Sequence, residues 1–518
     1  MSERLISRRS LVVGCARVAA LAAFGQLAGC VEAKPVRLGR DPFTLGVASG
    51  DPLPDGVVLW TRLAPEPLNG GGMPKDPVEV EWLVARDEQM TDVVRSGKTN
   101  AVADLAHSVH VEVGGLDPDR VYWYRFRAAG AESPIGRTRT APIAAPDRLR
   151  FAFASCQNYA QGYYTAHANL AREDLHAVLF LGDYIYEGTA RGNIVRDYAK
   201  RGWGFTLADY RDRYAQSRTD KDLQSSHGAF PWIVTWDDHE VENNYAGGID
   251  KEDPRNKAAL AERAAGYQAF YEHMPVRVPR PQGSELKLHR AVSYGGLATF
   301  FVLDTRQYRS PEVPLCAEQD QTPSGYCPAT LDPKRTMLGV DQRSWLLSNL
   351  AASNAAWNFV TQSVRFAQQD SNPDPAKRTF DGVDNWMGYV ADRQAILEQF
   401  PRTKNPVVLS GDSHVNFVYD LKRDFSDPSS PTVGAELLGT SISSEGDPFI
   451  EQTQFGGSFK NPQLLFFDNH RGYVRCTLER TRLTADFRAV STVRQPTASV
   501  STIASFVVED GRPGAHRA

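Results

Sequence analysis

Four short apolar runs in this 518-residue chain each end in side chains of the kind that bind metal ions. Phe151-Ala152-Phe153-Ala154 runs into Ser155-Cys156-Gln157, and Val178-Leu179-Phe180-Leu181 into Gly182-Asp183-Tyr184-Ile185-Tyr186. Ile233-Val234-Thr235-Trp236 runs into Asp237-Asp238-His239-Glu240, and Val407-Val408-Leu409 into Ser410-Gly411-Asp412-Ser413-His414. One such group is what a turn or a helix cap looks like. Four in one sheet would converge on one rim, and carboxylates crowded there repel or take up protons unless cations neutralise them. A thiolate and a phenolate favour a highly charged transition ion, with iron(III) a good candidate. Asp and Asn oxygens with water suit a harder cation such as calcium or manganese. Asp183 follows a tight Gly turn between the other candidate ligands and is placed to bridge two ions. Two neighbouring cations hold both non-bridging oxygens of a phosphate and lower the pKa of a bound water, which gives hydroxide for in-line attack.

The elements that must carry these groups alternate. Leu149–Ser155 reads as a strand and Tyr163–Glu173 as a helix. Ala177–Gly182 is nearly continuous in apolar residues, as a strand buried on both faces requires. Trp232–Trp236 is a further strand. Over Lys257–Met274, Leu260, Ala264, Tyr267 and Tyr271 fall on one helical face. Strands follow at Ala298–Leu303, Phe359–Val364 and Pro406–Leu409, helices near Asp341–Ala352 and Asp392–Phe400, and more strands at Leu464–Phe467, Gly472–Leu478 and Leu483–Phe487. The pattern predicts an α/β domain over 148–510 whose functional loops lie past the carboxyl ends of its strands. Residues 41–145 differ: they read as short strands with no convincing amphipathic helix. Leu116-Asp117-Pro118 ahead of Tyr122 resembles the tyrosine corner of fibronectin- and immunoglobulin-like sandwiches, so this part is expected to be a small all-β domain packed on the α/β domain.

The composition, 42% hydrophobic and 23% charged, is that of a globular protein. A formal charge of -4 argues against a dedicated nucleic-acid binder. Arg8-Arg9 in Ser7–Val13, followed by an apolar stretch to Gly29, resembles a twin-arginine export signal, and Leu27-Ala28-Gly29-Cys30 a lipobox. The expectations are a signal over residues 1–29, engagement of the twin-arginine export machinery, a periplasmic or extracellular location, and membrane attachment only through a lipid on Cys30. Removing residues 1–29 leaves 54 basic and 61 acidic side chains, a formal charge of -7. Cys316 and Cys327 flank a loop rich in Pro, Gly and Gln and read as a disulfide formed in an oxidising compartment. Cys476 reads as a buried thiol.

Gly182-Asp183-x-x-Tyr186, the later Asp-His-Glu and the final Gly-x-x-His together resemble the metallophosphoesterase superfamily. With Cys156, Trp236-Asp237-Asp238-His239-Glu240 and Ser410–His414, the closer resemblance is to its alkaline phosphatase D family, whose layout a related phospholipase D-type phosphodiesterase shares. Asn243-Asn244, Leu303–Arg306, Gly439–Ser443 and His470–Tyr473 extend the resemblance over nearly the whole chain past the signal. It implies an αββα sandwich holding Fe3+ and Ca2+. It also implies an exported alkaline phosphatase or phosphodiesterase that hydrolyses phosphate esters by attack of metal-bound hydroxide. Cys156 and Tyr186 match the iron ligands, Asp183 the bridging carboxylate, and His414 the last His of the superfamily's Gly-His-x-His motif. Asp412 stands where that motif has its first His, and Asp238 where the superfamily has the Asn of Gly-Asn-His-Glu; both changes favour calcium. Asn244 completes the set, with Asp237 a further candidate. Which of Asp237, Asp238, Asn243 and Asn244 are direct ligands stays open. His239 matches the residue that donates to the phosphate or the leaving oxygen; its plainer role is to support a ligand.

Two readings from other classes are disfavoured. A degenerate enzyme kept as a surface scaffold would lack ligands, and here every main position is filled. A serine hydrolase would need a nucleophile elbow, and Gly-x-Ser-x-Gly is absent. Arg306 and His470 follow strand-like runs and are candidates to touch substrate.

Overall fold

Side chains alternate in and out along the central strands, and this alternation builds three apolar layers in the protein. The computed structural model describes residues 39–518 except 201, 248–255, 314–315, 323, 371, 373–376, 381–383, 428 and 448–460. Residues 1–29 and Cys30, with the export and lipid motifs, lie outside the described residues. In strand Arg148–Ala154, Phe151 and Phe153 face one apolar core, while Ala152 and Ala154 face another. The first core lies between two β-sheets, where Phe151 meets Phe300 edge-on at 5.1 Å. The second joins the outer face of the first sheet to Tyr210, Tyr214, Tyr267 and Phe270 on its covering helices. A third joins Phe301, Val360 and Val408 of the second sheet to Leu346, Leu350, Ile396 and Leu397 on helices Gly339–Ala352 and Val390–Gln399. The result is the expected αββα order. No described helix is long and apolar enough to cross a membrane.

Both sheets are parallel at their centres, so the carboxyl ends of their strands share one edge. In the first sheet, Arg148–Ala154, Ala177–Phe180 and Pro231–Val234 run parallel side by side. In the second, Ala298–Val302, Trp357–Thr361, Pro406–Ser410 and Thr432–Leu438 do the same. The last strands, Val500–Glu509 and Arg512–Arg517, extend the first sheet antiparallel at one side.

The other side of that sheet is supplied by the N-terminal region. Val47–Leu53 pairs in parallel with Pro231–Val234, and Gly56–Arg62 and Ser108–Val113 continue outward antiparallel. The remaining N-terminal strands, Val78–Ala85, Val93–Ala101, Val121–Ala128, Ala131–Glu132 and Gly136–Arg139, form a separate five-stranded sheet. The all-β region therefore shares hydrogen bonds with the α/β sheet. The tyrosine corner is present: buried Tyr122 accepts a bond from the Asp117 N–H at 2.8 Å. Asp51 further ties the two parts, accepting from Arg290 at 2.7 Å and from the Arg277 N–H at 2.7 Å.

The sequence pattern did not indicate helices Leu207–Thr219 and Lys221–Ala229. Thr206 and Asp209 form a capping box at the start of the first, and Asp220 caps the second. Cys316 and Cys327 form the expected disulfide, and Cys476 is a buried thiol.

Candidate metal centre

Close approach of neighbouring strand ends sets the geometry. Gly182 has φ 112°, and a Cβ there would lie 2.4 Å from the amide nitrogen of Asp237. A Cβ at Gly411 would lie 2.5 Å from the Ser155 hydroxyl oxygen. The two glycines allow the loops to touch, and main-chain bonds then bind them together. The Cys156 N–H donates to the Gly182 carbonyl at 3.0 Å, the Gln157 N–H to the Asp183 carbonyl at 2.9 Å, and the Ile442 N–H to the Ser155 carbonyl at 2.9 Å. The candidate residues themselves adopt an uncommon backbone shape. Cys156 (φ 59°), Asp183 (55°), Asn244 (59°), Asp412 (66°) and His414 (54°) are all left-handed. Non-glycine residues in that region store strain, and such strain clusters at functional sites.

The structure gathers most of the candidates into three linked groups. Cys156, Asp183 and His414 form one, Asp183, Asp238 and His239 a second, and Asp237, Asp238 and Asp412 a third; within each, potential ligand atoms lie within 4.8 Å of one another. Asp183 is shared by the first two and Asp238 by the last two. Tyr186 belongs with the first: its hydroxyl donates to Asp183 Oδ2 at 2.8 Å, accepts from Ser444 Oγ at 2.7 Å and lies 3.2 Å from His414 Nε2. Asn244 joins through its backbone, its N–H donating to Asp238 Oδ2 at 2.7 Å. The His239 ring lies against Tyr186, with centroids 4.1 Å apart.

This donor set fits cations. Asp183 Oδ1, Asp237 Oδ2 and Asp238 Oδ1 are buried oxygens with no hydrogen-bond partner. Burial raises the Asp183 carboxyl well above its ordinary range, and Asp238 and Asp237 push it the same way against His239. Burial, reinforced by Asp183, likewise holds the Cys156 thiol and the Tyr186 phenol well up. These groups would be neutral acids in a protein without ions; a cation beside them favours the ionised, ligating forms. Asp238 is pulled down instead, since Arg306 and His239 outweigh its burial.

Several residues that organise this rim were given no role by the sequence. Glu240 is wholly buried and accepts three main-chain N–H bonds, from Asp183 (3.1 Å), Tyr184 (2.6 Å) and Asp237 (2.8 Å). It fastens the second and third strand ends together, and burial lifts its carboxyl to about 7. Glu187 accepts from His239 Nδ1 at 2.6 Å. Ser363 donates to Asp237 Oδ1 at 2.7 Å, bringing in the second sheet. Glu240 closes the third of the clusters noted in the sequence; the others carry no local signal, because folding alone brings them there.

Arg306 has a different position from the one its sequence context suggested. Its guanidinium is fully buried and bonds Asp237 through Nε and Asp384 Oδ1 through Nη1 at 2.6 Å. Its Nη2 lies 3.8 Å from Asp238 and 3.5 Å from Asp412. It serves as an internal counter-charge for the acidic groups. His470 is half exposed and pairs with Asp468 at 3.0 Å. A cavity of about 780 Å³, lined by Phe400, Lys404, Pro406, Val508 and Arg512 among others, lies at the opposite, amino end of strand Pro406–Ser410 and includes none of these groups.

Comparison with known proteins agrees with this arrangement. The family model "PhoD-like phosphatase" matches residues 151–487, and "PhoD-like phosphatase, N-terminal domain" matches residues 29–142. Alkaline phosphatase D of Bacillus subtilis (strain 168) is 45% identical over 522 residues, covering 98% of this chain and 88% of that protein. The solved structure titled "Structure of PhoD" superposes with a TM-score of 0.86 at 44% identity, covering 93% of each chain.

Proposed function

Because the chain belongs to the PhoD-like phosphatase family and is a phosphoric ester hydrolase, we propose that it cleaves phosphate monoesters or diesters at the rim around Asp183, using two cations. The observation that carries this reading is the chain of acidic groups linked through Asp183 and Asp238, with three buried carboxylate oxygens left unpartnered. Cys156, Tyr186 and His414 would hold iron(III) on one side of Asp183. Asp238, Asp412 and Asn244 would hold calcium on the other. When bound, the ions supply positive charge for the phosphate oxygens and acidify a water enough for it to attack phosphorus.

The chain's own residues do the rest. Asp183 spans the two sides. Glu240 fixes the loops that present Asp183 and Asp237, so the site is formed before substrate arrives. Arg306 offsets the surplus of carboxylates on the calcium side. His239 lies beside Tyr186 and Asp183 and donates a proton to the oxygen of the departing alcohol.

Residues 1–30 support a reading of export by the twin-arginine route and lipid attachment at Cys30. Cys30→Ser should then release the protein from membranes with activity intact; unchanged retention would refute the attachment.

The test is metal analysis of the native enzyme beside kinetics on a matched phosphomonoester and phosphodiester. Iron and calcium should both be found, and calcium chelation should abolish turnover until calcium is restored. Full activity in enzyme free of calcium would refute the two-cation reading.

A further inference from the structure

We propose that Glu187 is the positioning residue for His239: it fixes the imidazole through Nδ1 so that Nε2 faces the leaving group. This rests on the reading of His239 as proton donor. Glu187 Oε2 takes the bond from His239 Nδ1 at 2.6 Å, and its other oxygen, Oε1, accepts the Asn243 N–H at 3.0 Å. One carboxylate therefore holds the ring and also the loop that follows it. The pair is sheltered, with side-chain exposures of 11% for Glu187 and 19% for His239. Tyr186 lies against the face of the same ring and restricts its tilt.

The consequence is chemical. With Nδ1 committed to Glu187, Nε2 is the nitrogen left to act. The ring belongs to the group formed with Asp183 and Asp238, next to the centre of reaction. As the P–O bond to the alcohol breaks, its electron pair stays on the leaving oxygen, which takes the Nε2 proton. The imidazole is left neutral, with its remaining proton on Nδ1 in the bond to Glu187. The attacking water forms the new P–O bond and gives up its proton to solvent. A carboxylate bonded to one ring nitrogen sets the tautomer and the direction of the other. Glu187 comes one residue after Tyr186, so the turn that presents a candidate iron ligand also presents the partner of the donor.

A purely structural Glu187, anchoring the loop through Asn243, would make the same two bonds. A double-mutant cycle separates the two roles. Glu187→Ala, Glu187→Gln, His239→Ala and the double variants would be assayed with an alkyl and an aryl phosphate, with metal content measured on each preparation. Glu187→Gln keeps the size of the side chain but has a single acceptor oxygen for two donors, so it guards against a folding artefact. With native His239, both Glu187 variants should slow the alkyl ester about 10- to 100-fold, the usual loss when such a partner is removed. They should slow the aryl ester much less and should retain metal. In the His239→Ala background the same changes should alter the rate by less than about twofold.

An equal loss in both backgrounds, or for both esters, makes Glu187 a loop anchor and overturns the proposal while leaving His239 as donor. If His239→Ala itself loses metal, or slows both esters alike, the donor reading fails and the role of Glu187 fails with it.

Discussion

Tyr186 donates a hydrogen bond to Oδ2 of Asp183 over 2.8 Å, while Oδ1 of the same carboxylate is buried with no partner. Asp183 thus serves two directions. It meets Cys156 and His414 on one side and Asp238 and His239 on the other. A carboxylate so placed is positioned to bridge two cations, as proposed, and its free oxygen is costly to bury unless a cation meets it.

If iron(III) sits beside Cys156 and Tyr186, the thiolate and phenolate should produce ligand-to-metal charge-transfer absorption in the visible range. Cys156→Ser and Tyr186→Phe should each weaken or shift the band. Absorption spectra of iron-matched preparations provide the check, and a colourless, fully active enzyme containing zinc alone would remove iron from the account.

Arg306 is fully buried among Asp237, Asp238, Asp384 and Asp412. Removing one partner of a buried ion pair typically costs about 3–5 kcal/mol, because the remaining charge is stranded. Arg306→Met should lower the stability of the metal-free protein by about that much, measured by urea unfolding. A loss below about 1 kcal/mol would show that the acids are satisfied without it.

In the metal-free protein, Asp183 should contribute a loss of stability as pH rises from mildly acidic to neutral, against the buried histidines such as His110 and His167, whose lowered pKa acts in the opposite direction. The raised carboxyl of Asp183 keeps its proton in the folded state above the pH at which the unfolded chain releases it. At this group the folded chain therefore binds more protons than the unfolded chain in that window, so its contribution to stability falls with each step up in pH. Asp238 is depressed, so above its ordinary range it is ionised in both states and adds no slope. Bound cations should remove this contribution, because they replace the proton. Thermal melts of the metal-free protein and its Asp183→Asn variant at pH 5 and pH 8 isolate this contribution: between the two values the native chain should lose more stability, or gain less, than the variant, and an equal change in both would contradict it.

The α/β alternation and the four clusters were legible because each central strand is a short apolar run that ends abruptly in polar residues; the αββα layering was implied by the family resemblance alone. Ala177–Phe180 is buried throughout, and Asp183 follows within a few residues. Helix Leu207–Thr219 was not legible, because its inward face includes Arg213, Gln216, Ser217 and Arg218 beside Tyr210 and Tyr214. Buried arginines packed on aromatic rings, such as Arg218 over Trp60 at 4.1 Å, erase the apolar stripe that marks a helix. The joining of Val47–Leu53 to Pro231–Val234 was hidden as well, since pairing across that distance leaves no local pattern. Ligand candidates announced themselves by residue type. Their supports, Glu187, Ser363 and Asp384, are common polar residues that acquire meaning only from what they touch.

The central claim is that one carboxylate holds two catalytic cations. Metal content and phosphate ester hydrolysis, measured on a single preparation of Asp183→Asn, test it most directly. Asparagine keeps the shape but removes the charge, so both iron and calcium should fall well below the native content, and turnover should be lost with them. A variant that keeps both metals and hydrolyses esters at the native rate would contradict the account.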